Sequence, residues 1–137
     1  MTKIEHIGIA VKDIAKAITT FEEILSSSCY KQEAVESEKV NTAFFKIGES
    51  KVELLENTAP GGVIEKFIEK KGEGLHHIAF AVDDIELEMK RLQSLGYTLL
   101  NDKPKKGADN KWVSFLHPKD TQGVLIELCM EREEKEG

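Results

Sequence analysis

His6-Ile7-Gly8-Ile9-Ala10-Val11-Lys12-Asp13-Ile14 returns, 71 residues later, as His77-Ile78-Ala79-Phe80-Ala81-Val82-Asp83-Asp84-Ile85. A second phrase also returns: Val52-Glu53-Leu54 becomes Ile126-Glu127-Leu128, 74 residues on. Two pairs at nearly one offset mean that a unit of about 70 residues is used twice. Each copy sets a His and a Glu at matching positions. Two imidazoles and two carboxylates related by pseudo-symmetry outline a metal site.

The first module is expected over about residues 3–57. A strand at Ile4–Val11 turns His6, Gly8 and Ala10 to one face and Ile7, Ile9 and Val11 to the other. Asp13 is a helix N-cap. After it, Ile14, Ala17, Ile18, Phe21, Ile24 and Leu25 recur at helical spacing, and that stripe is expected to pack on the Ile/Ile/Val face. Strands are predicted at Cys29–Ala34, Asn41–Ile47 and Lys51–Glu56, with Gly48-Glu49-Ser50 as the turn between the last two. A linker helix is predicted over about 60–72, with Val63, Ile64, Phe67 and Ile68 as its apolar residues. The second module, about 75–130, repeats the order. It has a strand at His76–Val82, an Asp84 cap, and a helix with Ile85, Met89, Leu92 and Leu95 inward and Gly96 at its end. Strands follow near Tyr97–Leu100, Trp112–Leu116 and Val124–Met130. Each unit is therefore β-α-β-β-β, and the whole 1–137 chain reads as one α+β domain. Glu131–Gly137 is charged and expected to fray.

Composition sets limits. The chain has 137 residues, 40% of them hydrophobic and 32% charged, which suits a globular domain. A net charge of −6 argues against a nucleic-acid partner, which needs a basic patch. No apolar run reaches the roughly 18 residues of a membrane span, so no membrane association is expected. Met1-Thr2-Lys3-Ile4 enters a strand pattern directly, so no signal peptide is expected. The two cysteines, Cys29 and Cys129, fit two ordinary thiols in a cytoplasmic protein and no zinc-finger or thioredoxin spacing.

Strand alternation sorts the four polar residues. His6 and His77 point away from the helix side. Glu53 shares a face with Leu55, and Glu127 shares one with Leu125 and Cys129. If each sheet curls into half a cup, all four line its concave face, and the small residues Gly8, Ala10, Ala79 and Ala81 leave room there. A lone His on a strand is more often a hydrogen-bonded structural residue, and a Glu between Val and Leu is more often the solvent side of an alternating strand. The repeat shifts that balance, because the same pair recurs at the same module positions. Imidazole with carboxylate suits a borderline divalent metal: Co, Mn, Ni, Zn or Fe(II). His76 reads as structural and facing the helix side, and His117 as a surface or outer-sphere residue.

These residues resemble the vicinal oxygen chelate superfamily, whose members pair βαβββ modules around one metal. Within it, His6-Ile7-Gly8-Ile9-Ala10-Val11, Val52-Glu53-Leu54-Leu55-Glu56, Gly72-Glu73-Gly74-Leu75-His76-His77-Ile78-Ala79-Phe80, Phe115-Leu116-His117-Pro118-Lys119 and Gly123-Val124-Leu125-Ile126-Glu127-Leu128 are similar to the methylmalonyl-CoA epimerase family, over about residues 3–130. The resemblance implies two tandem modules forming a curled mixed sheet around a central metal site, with helices on the outer face. It implies an epimerase exchanging (R)- and (S)-methylmalonyl-CoA, a divalent metal (Co, Mn, Ni or Zn) held by His6, Glu53, His77 and Glu127, and a catalytic role for Glu127 in proton transfer. A homodimer is implied too. Some family members carry a Glu on the third strand of the first module, where this chain has Thr42, so a water or Glu38 could serve as second base. Lys103, Lys105, Lys106, Lys111 and Lys119 could meet the phosphates of an acyl-CoA, or could simply be solvated.

A glyoxalase I-type lactoylglutathione lyase is the nearest alternative in chemistry. The carboxylates of glutathione suit arginine forks, and the chain has only Arg91 and Arg132. A metal-free small-molecule-binding protein of the same fold would need no ligand quartet and would favour an aromatic groove, whereas aromatics are 7% here.

Overall fold

Strand β1 spans Lys3–Val11 in the computed structural model, which describes residues 1–133. Its alternation works as the sequence requires. Ile9 and Val11 join the cluster under helix α1 (Ile14–Leu25), while Ala10 packs on the opposite face. Two carboxylates start α1: Asp13 accepts the Lys16 N–H at 3.2 Å, and Glu56 accepts the Ile14 N–H at 2.8 Å. Both satisfy donors that a helix N-terminus leaves open. The helix ends on Ser26, which takes left-handed backbone at φ 51°.

Three strands complete the first module: β2 (Lys31–Val35), β3 (Val40–Ile47) and β4 (Ser50–Asn57). They lie in the order β2-β3-β4-β1, with β1 parallel to β4 and the other pairs antiparallel. Val52, Leu54, Ala43 and Phe45 meet α1 on one face. The linker helix α2 (Val63–Lys71) takes the other face, where Ile64, Phe67 and Ile68 pack with Ala10, Val40 and Leu55. That face also bears Glu53, by the period of two along β4.

The second module has β5 (Gly74–Ala81), α3 (Ile85–Ser94), β6 (Lys105–Gly107), β7 (Lys111–Leu116) and β8 (Ile126–Glu131). Its order is β5-β8-β7-β6, with β5 parallel to β8. Asp84 caps α3 by accepting the Leu87 N–H at 3.1 Å. Ile85, Met89 and Leu92 pack on Leu116, Ile126, Leu128 and Met130. Ala79, Val113, Phe115 and Cys129 form a separate cluster. The backbone groups into two compact units, residues 6–77 and residues 1–5 with 78–133. The division therefore runs through β1 and β5 and not through the linker helix.

Three sequence expectations need correction. Ile24 and Leu95 were expected inward, yet they are 70% and 63% exposed. Each stands ten residues after the first apolar residue of its helix, which puts it about 80° off that residue, at the margin of the stripe. Val63 opens α2 facing solvent. The strand expected at Tyr97–Leu100 is reduced to one bridge, Leu99 with Leu116. Its neighbour Thr98 gives its N–H to the Asp120 carboxylate at 2.7 Å, so the ladder is interrupted there and true pairing resumes at β6. The charged tail continues β8 to Glu131, and its last part, residues 134–137, lies outside the described residues. Both cysteines are free thiols. No helix among the described residues is long and apolar enough to cross a membrane.

Candidate metal centre

Glu53 lies opposite Gly8 in the parallel β1–β4 register, and His6 is two residues before Gly8 on the same face of β1. The third member arrives over the glycine. A Cβ built on Gly8 would stand 2.1 Å from Cε1 and 2.6 Å from Nε2 of His77, so the His77 ring fills the space that a side chain would occupy. The result is a tight triangle. His6 Nε2 and His77 Nε2 are 3.0 Å apart, and each is 3.5 Å from Glu53 Oε1. The two rings meet edge to face at 87°. All three residues are 5% exposed.

This triangle fits a metal ion. Donors about 2.1 Å from a common centre are roughly 3.0 Å apart at a right angle and roughly 3.4 Å apart at a tetrahedral angle. The three observed edges fall at those values. Two imidazoles and one carboxylate also have the chemistry for a borderline divalent cation. A divalent cation at this point would neutralise the buried Glu53 carboxylate, whose burial as a charge is otherwise costly.

His76 is more involved than its strand position suggests. Alternation puts it on the opposite face from His77, yet the two Nδ1 atoms are 2.8 Å apart. The His76 ring also stands edge to face against Phe67 of α2, with centroids 4.9 Å apart. Burial, reinforced by the neighbouring His77, pushes the His76 imidazole down to about pKa 4, so it is neutral at neutral pH. The sequence signal for this role was only the His-His doublet.

Glu127 is also 5% exposed. It is in register with Ala79 of β5 on one side and Phe115 of β7 on the other. Lys105 lies over the Phe115 ring, its Nζ 5.4 Å from the centroid. Of the other lysines, Lys111 is not available to a phosphate: it is buried and its Nζ is held by Glu131 at 2.8 Å and the Asp109 carbonyl at 3.1 Å. His117 accepts the Lys119 N–H on Nδ1 and thereby caps the short turn Pro118–Asp120, a structural role. Thr42 is buried, and its hydroxyl donates to the Glu33 carbonyl at 2.7 Å. Sequence reading missed the burial of Glu5, which is 4% exposed between an exposed Ile4 and a buried His6.

Comparison with known proteins agrees with this architecture. Residues 5–115 match the model of the glyoxalase/bleomycin resistance protein/dioxygenase superfamily. The chain is 35% identical to an ethylmalonyl-CoA/methylmalonyl-CoA epimerase of Cereibacter sphaeroides, over 92% of this chain and 96% of that one. It is 41% identical to the uncharacterised protein YqjC of Bacillus subtilis, over 94% and 92%. Among solved structures, a Streptomyces coelicolor methylmalonyl-CoA epimerase variant in complex with 2-nitronate-propionyl-CoA superposes with a TM-score of 0.93 at 34% identity, covering 97% of this chain and 99% of that one.

Proposed function

The chain belongs to the glyoxalase/bleomycin resistance protein/dioxygenase superfamily and, within it, to the methylmalonyl-CoA epimerase family, and from that premise we propose that it exchanges (R)- and (S)-methylmalonyl-CoA at a divalent metal held by His6, Glu53, His77 and Glu127. The observation that carries this reading is the buried triangle of His6, His77 and Glu53, with donor atoms 3.0–3.5 Å apart. The support for Glu127 is its burial and its match to Glu53 in the repeat. When bound, a divalent ion (Co, Mn, Ni or Zn) supplies Lewis-acid polarisation of a carbonyl oxygen.

The rest falls to the chain's own residues. The substrate's α-carbon lies between a thioester carbonyl and a carboxylate, so its proton is the one within reach of a carboxylate base. A Glu127 carboxylate oxygen accepts that proton on one face, and a second group returns a proton on the other. Thr42 does not supply the second group, because its hydroxyl is already a buried donor.

A glutathione substrate has less support than an acyl-CoA. Arg91 pairs with Glu88, and Arg132 lies over Trp112 at 5.2 Å, so both arginines are already engaged. The reading includes a cytoplasmic homodimer, which light scattering on the purified protein checks directly.

Proton NMR of methylmalonyl-CoA in D2O tests the reaction. Metal-loaded protein should remove the α-proton signal, a chelated control should not, and Glu127→Gln should slow the loss by about 10²–10⁴-fold. Absence of exchange above the chelated control, with metal demonstrably bound, sinks the proposal.

A further inference from the structure

A metal-binding imidazole must present a bare nitrogen, and the neighbours of its other nitrogen decide which one is bare. For His77 the nitrogen that joins the triangle is Nε2. That nitrogen has competing demands on it. Glu53 Oε1 at 3.5 Å is a carboxylate that would welcome an Nε2–H, and His6 Nε2 at 3.0 Å could accept one as well. Left to these two partners, the ring would keep its proton on Nε2, the wrong position for ligation.

The opposite side of the ring holds the remedy. His77 Nδ1 is 2.8 Å from His76 Nδ1, a distance at which one nitrogen donates and the other accepts. His76 is held by Phe67, whose ring it meets at 85°, and Phe67 is anchored through α2 in the cluster of Ala10, Val40, Leu55 and Ile64. We propose that His76 is a positioning residue for the metal site: its Nδ1 accepts the His77 Nδ1–H, which fixes the tautomer and ring orientation that leave His77 Nε2 bare. Phe67 and α2 fix His76 in turn. The linker helix thereby belongs to the support of the site. This inference rests on the reading of His77 as a metal ligand.

Two substitutions and one spectrum test it. His76→Phe keeps a ring against Phe67 and removes the acceptor; His76→Asn removes the ring and keeps an oxygen close to the position of Nδ1. The probes are Co(II) and Zn(II), with affinity read by competition against a chelator. His76→Phe should lose about 10–100-fold in affinity and shift the visible Co(II) bands, and His76→Asn should recover to within a few-fold of the parent. In the Zn(II)-loaded, ¹⁵N-labelled parent, a scalar coupling should connect the Nδ1 nitrogens of His76 and His77 across their hydrogen bond. Packing alone produces no such coupling, and this measurement stands even if His76→Phe does not fold. The inference is overturned if His76→Phe binds as the parent does, if His76→Asn is as weak as His76→Phe, or if the coupling is absent. A parent protein that binds neither ion would instead refute the metal reading on which the inference rests.

Discussion

The third residue of the repeated phrase is glycine in the first module and alanine in the second, Gly8 against Ala79. The two strands are otherwise close copies, and both residues are buried. The difference has a local cause. The His77 ring lies where a Gly8 side chain would be, at 2.1 Å from an added Cβ, whereas Ala79 carries its methyl into a cluster with Val113, Phe115 and Cys129. Matching sequence positions therefore do different jobs: one leaves space for a ligand, the other fills space beside a ligand strand. The same contrast appears in the cores. Both clusters hold β-branched and aromatic residues, but only the second includes methionines, Met89 and Met130.

That contrast is open to challenge by experiment. The largest effects should come from the two equivalent core leucines, Leu54 and Leu128, neither of which has exposed surface. Truncation of either to Ala should cost about 2–5 kcal/mol in urea unfolding. Leu54→Ala should be the more damaging, because its cluster lacks the flexible methionines, Met89 and Met130, that can relax into a cavity in the second core. Equal losses would mean that the two cores relax alike. Next comes the glycine. Gly8→Ala should weaken Co(II) binding by about 100-fold, roughly 2.7 kcal/mol, by displacing His77. Ala79→Gly should leave metal affinity near that of the parent and cost about 1 kcal/mol of stability. A Gly8→Ala protein with undiminished metal affinity would remove the explanation for the glycine. Smallest are the helix caps. Asp84→Ala should cost about 1 kcal/mol by thermal unfolding. Asp13→Ala should cost less, because Glu56 still holds the Ile14 N–H at 2.8 Å. A larger loss at Asp13 than at Asp84 would contradict that backup.

Much of this was legible in the chain. Period-two alternation was enough to sort His6, Gly8, Ala10 and Glu53 from Ile9, Val11, Val52 and Leu54, because one face of each strand must meet an amphipathic helix. The Asp13 and Asp84 caps were legible for the same reason: the residue type and its place before an apolar stripe are local signals. Three things were not local. The single bridge at Leu99 depends on Asp120 reaching Thr98, a contact 22 residues away. The capture of Lys111 by Glu131 depends on β7 pairing with β8. The His76–His77 contact breaks the alternation rule that otherwise served well, since a ring can lean across its own strand when a helix residue such as Phe67 supports it.

The bare strand at Gly8 also has a historical meaning. Internal duplications begin as identical halves, and recombination between the halves tends to restore that identity. Here such a repair is not neutral in both directions. Copying the second phrase over the first would install a methyl group within 2.1 Å of the His77 ring. Copying the first over the second would only open a small gap at Ala79. A symmetric version of this protein therefore keeps the His77 ring where it is with glycine in both copies, and not with alanine in both.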